Sequence, residues 1–228
     1  QSTTMKLIDK IKETPFVMET EEFSPGNGCS IVGSSGNLLD AEYGNSIDSS
    51  DDVIRFNGAV TEGFEVHAGT KTTFRIMNCH HILNIENEQY FLQQKARHPQ
   101  IDRYLLNTIE DETIIFKTDP SWKLWQKNHI LDPVREKNNV YFIHEDFYKL
   151  GNKLNSGKEA TNGFMGLLMA LKYYSSIDCY GFSFYSPDVK KHYFDEIKNY
   201  NMNAGHDFDN EKKIFSLLEK NGIIKIHV

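Results

Sequence analysis

Apolar residues in this chain fall into short runs, each closed by small or polar residues. Cys29-Ser30-Ile31-Val32 delivers Gly33-Ser34-Ser35-Gly36-Asn37, Asp52-Val53-Ile54-Arg55-Phe56 runs into Asn57-Gly58, and Thr72-Thr73-Phe74-Arg75-Ile76-Met77 into Asn78. Continuous apolar runs of this length, bounded by turn residues, are the pattern of buried parallel strands. Further strands are expected at 112–116, 139–143, 177–181 and 223–228, with helices near 121–127 and 145–150. Phe164, Leu167, Leu168, Ala170 and Leu171 recur with helical spacing, so a well-buried helix is expected over 162–174, and Ile214, Phe215, Leu217 and Leu218 give a second over 209–220. Residues 1–27 mix charge with Pro15, Pro25, Gly26 and Asn27 and read as an amphipathic lead-in followed by a turn, leaving 28–228 as the domain proper. The alternation predicts an α/β fold with a mostly parallel sheet flanked by helices.

Three of these strands end in a carboxamide. In open parallel sheets the ligand crevice lies beyond the carboxyl ends of the strands, so Asn37, Asn57 and Asn78 are candidates to face one cleft, although asparagine also suits turns for its own sake. Thr161 or Asn162 stands where the N-cap of the buried helix belongs, and a helix start presents free N–H groups and a positive dipole end to an anion or simply to solvent. Tyr185, with Ser183 and Ser186, and the run His192-Tyr193-Phe194-Asp195 form an aromatic, hydrogen-bonding cluster. It can serve a phosphate without a metal, or be the satisfied edge of a core. His206 precedes the last helix and has the intrinsic pKa of a general base. Asp207-Phe208-Asp209 imitates a metal-binding acidic pair, but carboxylates at a helix start are explained by capping, and His80-His81 lacks ligand spacing. No metal site is expected.

Composition narrows the class. A chain of 228 residues suits one domain with a full core, and 39% hydrophobic with 25% charged residues is ordinary for a globular protein. A net charge of -7 argues against a nucleic-acid partner, whose phosphates need a basic face, and leaves room for a pocket holding one phosphate. No run approaches the roughly 20 apolar residues that cross a bilayer. The chain starts at Gln1 rather than methionine, which leaves room for an upstream membrane anchor. The three cysteines, Cys29, Cys79 and Cys179, allow at most one disulfide and include no CxxC pair. There is no Asn-x-Ser/Thr sequon.

These segments together resemble the sialyltransferases of the eukaryotic type, in the right order. The stretch from Cys29 through Asn37, Ile47-Asp48, Val53 to Thr61 and Gly69 to Thr73 resembles the family's large motif. Thr161-Asn162-Gly163 through Asp178-Cys179-Tyr180-Gly181-Phe182 resembles the small motif, His192-Tyr193-Phe194-Asp195 the third, and His206 with Glu211 the very short one. The compact length and the tail from Gly205-His206 to Lys220 are also similar to bacterial sialyltransferases. The resemblance implies a single-domain Rossmann-like glycosyltransferase fold, a GT-A variant, and an inverting, metal-independent transfer of sialic acid from CMP-sialic acid to a glycan hydroxyl. The acceptor would contain galactose or N-acetylgalactosamine, and no cofactor would be needed.

Carried over by position, the resemblance implies that Asn37 and Asn57 hold the CMP moiety and that Ser35 and Gly36 let backbone approach closely. Thr161, Asn162 and Gly163 would meet the nucleotide or the donor carboxylate, His192 and Tyr185 the leaving phosphate, and His206 would be the base. Glu211 would support its segment. The wording around Arg55 to Gly58 and Phe74 to Asn78 leans toward α2,6-forming members and leaves linkage open. In the eukaryotic family a cysteine of the large motif bridges one in the small motif. Here the partner position is Tyr174, so Cys29 lacks its mate unless Cys179 substitutes. A reducing compartment would account for that loss. The compartment itself stays open: Golgi lumen behind an anchor if eukaryotic, cytoplasmic or peripheral to a membrane if bacterial or viral.

Other readings compete. A CMP-Kdo transferase of the same fold would use a similar keto acid, and an inactive CMP- or glycan-binding protein would keep the pocket without turnover. An NAD-type enzyme is disfavoured, because Gly33-Ser34-Ser35-Gly36-Asn37 lacks three-glycine spacing and no acidic residue closes the second strand. Acceptor-binding loops are expected within 79–135, where Trp122 and Trp125 could stack on sugars or pack in the core.

Overall fold

A computed structural model of the chain describes residues 2–20, 23–78, 89, 92, 96, 111–117, 131–195 and 205–228. The expected helix at 121–127, the pair His80-His81, Trp122, Trp125 and Cys79 lie outside the described residues, as does most of the stretch expected to bind acceptor. Seven strands form one sheet: β1 (Gly28–Val32), β2 (Asp52–Phe56), β3 (Phe74–Asn78), β4 (Thr113–Lys117), β5 (Val140–Phe142), β6 (Ser176–Tyr180) and β7 (Lys225–Ile226). Their order is β5-β4-β3-β2-β1-β6-β7, and all neighbouring pairs run parallel. Ile31 of β1 sits opposite Ile54 of β2 on one side and Cys179 of β6 on the other. The order therefore reverses direction at β1, and loops leaving β1 and β6 diverge there to open a crevice at the carboxyl edge.

Helices α1 (Thr3–Glu13), α2 (Gly44–Asp48), α3 (Glu65–Ala68), α4 (Asp132–Arg135), α5 (Glu145–Leu154), α6 (Asn162–Tyr173) and α7 (Phe208–Lys220), with a 3-10 turn at Gly36–Asp40, complete the described elements. The strands and the helices at 145, 162 and 208 stand within a few residues of where the apolar pattern puts them. The shorter helices carry too few turns to show a period. Helix α6 is apolar on nearly every side, and all its residues from Phe164 to Leu171 are buried. It lies on the sheet because Gly166 meets the Phe56 ring, where a Cβ would fall 2.5 Å from a ring carbon. Helix α1, capped by the Ser2 side chain on the Met5 N–H, packs against α6 and buries Ile8 and Ile11. Phe16 and Val17 continue into the same core, and Val17 bridges Ile143. The amphipathic lead-in is thus packed on the domain.

Cys29 and Cys179 are both buried with free thiols, and burial raises both pKa values. The register sets Cys29 opposite Ile177 and Cys179 opposite Ile31, so the two sulfurs are diagonal and a substitute disulfide is not formed. At Tyr174, the position that the resemblance pairs with Cys29, the hydroxyl donates to Asp52 Oδ2 at 2.8 Å, tying the end of α6 to β2.

Candidate active site

Beyond β1 and β6 the backbones of Gly33 and Gly181 touch. A Cβ on Gly33 would fall 2.4 Å from the Gly181 carbonyl oxygen, and one on Gly181, which has φ of 71°, would fall 2.5 Å from that of Gly33. The Gly33 N–H donates to Tyr180 O at 2.7 Å and the Ser35 N–H to Gly181 O at 3.1 Å. Past this contact the loops part around a cavity of about 280 Å³. Of the residues expected at the site, Ser35, Asn57, Thr161, Asn162, Gly163, Tyr185, His192 and His206 line it, as does Asn78.

Asn57 follows β2 with φ of 45°, the left-handed region that asparagine tolerates better than most residues. Its Oδ1 accepts from the Asn78 N–H and from Asn162 Nδ2, both at 3.1 Å, joining β2, β3 and the tip of α6. Arg75 holds the turn from below: Nη1 donates to the carbonyls of Asn57 and Ala59, while Nε and Nη2 grip Glu112 at 2.6 and 2.9 Å. Asn162 Oδ1 is buried and has no hydrogen-bond partner among the described residues. A buried carbonyl without a donor is costly, and this one belongs to a cavity-lining residue.

Thr161 caps α6, its Oγ1 accepting from the Phe164 N–H at 3.1 Å. The same hydroxyl donates to Glu211 Oε2 at 2.7 Å, while Glu211 Oε1 accepts from the Thr161 N–H at 2.9 Å and from Asn155 Nδ2 at 3.1 Å. Glu211 thus fastens α7 to the start of α6. Burial outweighs these bonds and raises its pKa to about 7. His206, five residues earlier, places Nδ1 2.6 Å from the Glu159 carbonyl oxygen. A carbonyl only accepts, so Nδ1 carries the proton and Nε2 keeps its lone pair. Desolvation lowers the pKa of His206, opposed by the bond to Glu159 and reinforced by Lys117. The ring is therefore neutral at neutral pH.

His192 Nδ1 lies 2.7 Å from the buried carboxylate of Asp195, and its ring stacks on Phe194 with centroids 5.0 Å apart. Asp195 and Phe194 thus orient the His192 ring on the cavity wall. Tyr185 and Phe184 are consecutive left-handed residues, with φ of 57° and 51°. The turn they make sets Tyr185 against Phe208, with ring centroids 4.1 Å apart. Two expected residues do not line the cavity. Gly36 admits backbone approach, but of the chain itself: its N–H donates to Lys190 O at 2.8 Å, and a Cβ would fall 2.5 Å from Lys190 Cβ. Asn37 turns its Nδ2 onto Phe182 O at 3.0 Å and braces the loop after β6.

The two lysines that line the cavity, Lys117 and Lys191, were not anticipated. Lys117 closes the apolar run Thr113–Lys117 just as Asn57 and Asn78 follow theirs, so the same polar-end rule marks it. It donates to Ala160 O at 2.8 Å and pairs with Glu159 at 3.1 Å. Lys191 carries no local signal, because the loop containing it reaches the site only through tertiary contacts. Asp207 caps α7 by accepting from the Asn210 N–H at 3.0 Å, and Asp209 lies in its first turn. Asp207 thus caps the helix, and Asp209 stands at the positive end of its dipole. Among the described residues no group of three or more His, Cys, Asp or Glu is gathered as a ligand set.

Residues 1–223 match the family model for glycosyltransferase family 29 (sialyltransferase). The human CMP-N-acetylneuraminate-beta-galactosamide-alpha-2,3-sialyltransferase 1 is 29% identical over 219 residues, covering 87% of this chain and 57% of that protein. Sialyltransferase-like protein 2 of Arabidopsis thaliana is 29% identical over 202 residues, 87% of this chain and 39% of its own length. The chain thus spans well under two thirds of these relatives. Among solved structures, a mammalian sialyltransferase in complex with Gal-beta-1-3GalNAc-ortho-nitrophenol superposes with a TM-score of 0.65 at 20% identity, covering 98% of this chain and 78% of that one. A monofunctional alpha-2,3-sialyltransferase from Campylobacter jejuni gives 0.55 at 18% identity, with 92% and 78% covered. These two share the fold. With nearly its whole length matched by the family model, the chain belongs to glycosyltransferase family 29, the sialyltransferases.

Proposed function

We propose that this chain transfers sialic acid from CMP-sialic acid to a hydroxyl of a glycan containing galactose or N-acetylgalactosamine, with inversion and without a metal. The observation that carries the reading is His206: a neutral imidazole with its Nδ1 proton committed to Glu159 O lies in one cavity with the tip of α6. The acceptor hydroxyl gives its proton to His206 Nε2 as its oxygen forms the new bond to the anomeric carbon. The bond from that carbon to phosphate oxygen breaks on the opposite face, and CMP departs with the electron pair. Its phosphate gains a negative charge, for which the N–H groups at the start of α6, His192 and Tyr185 are the partners in this reading. Asn57 and the unpartnered Oδ1 of Asn162 suit the donors and acceptors of a cytidine. The acceptor class draws on the names of the human relative and of the mammalian complex.

The test is incubation with CMP-sialic acid or CMP-Kdo and a panel of galactose- and N-acetylgalactosamine-terminated glycans, with and without EDTA. Products are followed by mass spectrometry, and anomeric configuration and linkage by NMR. A sialylated product of inverted configuration, formed equally in EDTA, is expected. CMP binding without release of CMP from either donor would leave a binding protein instead.

A further inference from the structure

We propose that Arg75, which does not itself line the cavity, is a positioning residue for the nucleotide: through the backbone of Asn57 it sets the junction of Asn57, Asn78 and Asn162 on which the nucleotide rests. The inference rests on the transfer reading above for the identity of the nucleotide, and on the following geometry for the residue.

Asn57 and Gly58 form a tight turn at the end of β2, closed by the Ala59 N–H donating to Phe56 O at 3.2 Å. Asn57 takes φ of 45° there, a conformation that a residue with a side chain keeps only where its surroundings over-determine it. Its N–H is held by Ile76 O at 2.9 Å, and its carbonyl and that of Ala59 both accept from Arg75 Nη1, at 2.8 and 3.0 Å. One guanidinium nitrogen thus spans the turn from Asn57 to Ala59. With the backbone so fixed, Asn57 Oδ1 meets the Asn78 N–H and Asn162 Nδ2, and all three asparagines line the cavity. A rotation of the turn would draw Oδ1 off both donors, because they belong to β3 and α6 and do not move with it.

The placement of Arg75 points the same way. It stands opposite Arg55 in the register of β2 on β3, and both are buried. Burial lowers the pKa of Arg55 to about 10, and Arg75 adds to the fall. Arg55 meets neutral acceptors, the carbonyls of Ala68 and Lys71 and the Thr72 hydroxyl, while Glu112 grips Arg75. A buried ion pair gains little net stability over an apolar pair of the same size. What the guanidinium supplies and an apolar side chain lacks is a planar fork, with Nε and Nη2 on Glu112 and Nη1 on two carbonyls, so the Asn57 turn is registered against the residue that precedes β4. Glu112 is itself held, its carbonyl accepting from Asn138 Nδ2 at 2.9 Å.

The experiment is a double-mutant cycle read by CMP affinity, from calorimetry on the full chain, beside denaturant unfolding. Glu112 is changed together with Arg75, because Arg75→Met alone strands a buried carboxylate. Arg75→Met/Glu112→Met is expected to keep most of the native stability and to bind CMP roughly tenfold more weakly. In an Asn57→Gly background, where the turn needs no support and carries no side chain to aim, the same two changes should alter CMP affinity less than about twofold. Arg75→Lys keeps the charge without the fork and should show the same contrast between backgrounds, which carries the comparison if the apolar pair does not unfold cooperatively. Equal losses in the two backgrounds would make Arg75 a general support of the fold and overturn its positioning role, as would native CMP affinity in Arg75→Met/Glu112→Met. Either result leaves the transfer reading standing. A native protein that does not bind CMP defeats both.

Discussion

The Nδ1 of His206 lies 2.6 Å from the carbonyl oxygen of Glu159, a residue whose carboxylate is at the same time the partner of Lys117. One residue therefore fixes the tautomer of the imidazole with its backbone and holds, with its side chain, a cation that adds to the desolvation keeping that imidazole neutral.

His206→Ala is expected to lower kcat by roughly two to four orders of magnitude with little change in CMP affinity. The base works only when deprotonated, and its pKa is lowered from 6.5, so native activity should hold through neutrality and fall on the acid side below that value. Lys117→Met removes a cation that favours the neutral ring, and the acid limb should move to higher pH. A pH–rate profile of native protein and Lys117→Met checks both.

Glu211 has a folded pKa of about 7, above its ordinary 4.5, because burial penalises its charge. A raised value means that it contributes stability in full below 4.5, and that this is lost as pH rises through about 7. Glu211→Gln carries no such charge, so its melting temperature should lose that part of the decline between acid and neutral pH. Thermal denaturation across the interval measures it.

Asn57 combines a left-handed backbone with a side chain joining Asn78 to Asn162. Asn57→Gly accepts the backbone and loses the side chain, whereas Asn57→Ala loses both. The alanine variant should be less stable than the glycine variant by roughly 1 kcal/mol, and both should bind CMP more weakly than native protein. Denaturant unfolding and calorimetry separate the two effects.

Tyr174→Phe deletes the hydroxyl that donates to Asp52 Oδ2, leaving that carboxylate oxygen with the Gly26 N–H at 2.9 Å. A stability loss of about 1–3 kcal/mol is expected, read from denaturant unfolding. Reducing agent should leave native stability unchanged with respect to Cys29 and Cys179, both of which are free thiols.

Much of the site was legible because its signals are local. Asn57, Thr161 and His206 each follow or precede an apolar run whose period announces a strand or a helix, and the residue beyond such a run is by position at the edge of the sheet. Gly36 and Asn37 sat in the same kind of loop and were expected at the ligand. They brace neighbouring loops instead, because the stretch at Lys190 and the turn at Phe182 occupy the space beside them. Nothing within nine residues of Asn37 shows that these two partners, some 150 positions away, will arrive there.

Periodicity, capping and charge, read along the chain, determined the parallel α/β character, the extent of the main strands and helices, and the capping role of Asp207. Tertiary structure alone decided that β6 lies beside β1, which brings the loops after Val32 and Tyr180 together and sets Lys117, Lys191, His192 and His206 around one cavity. It also decided that Cys29 and Cys179 stand diagonally and stay reduced. The division has a physical cause: an element forms from the spacing of its own residues, but strand order follows from how the whole set of apolar faces is buried at once, which no local window contains.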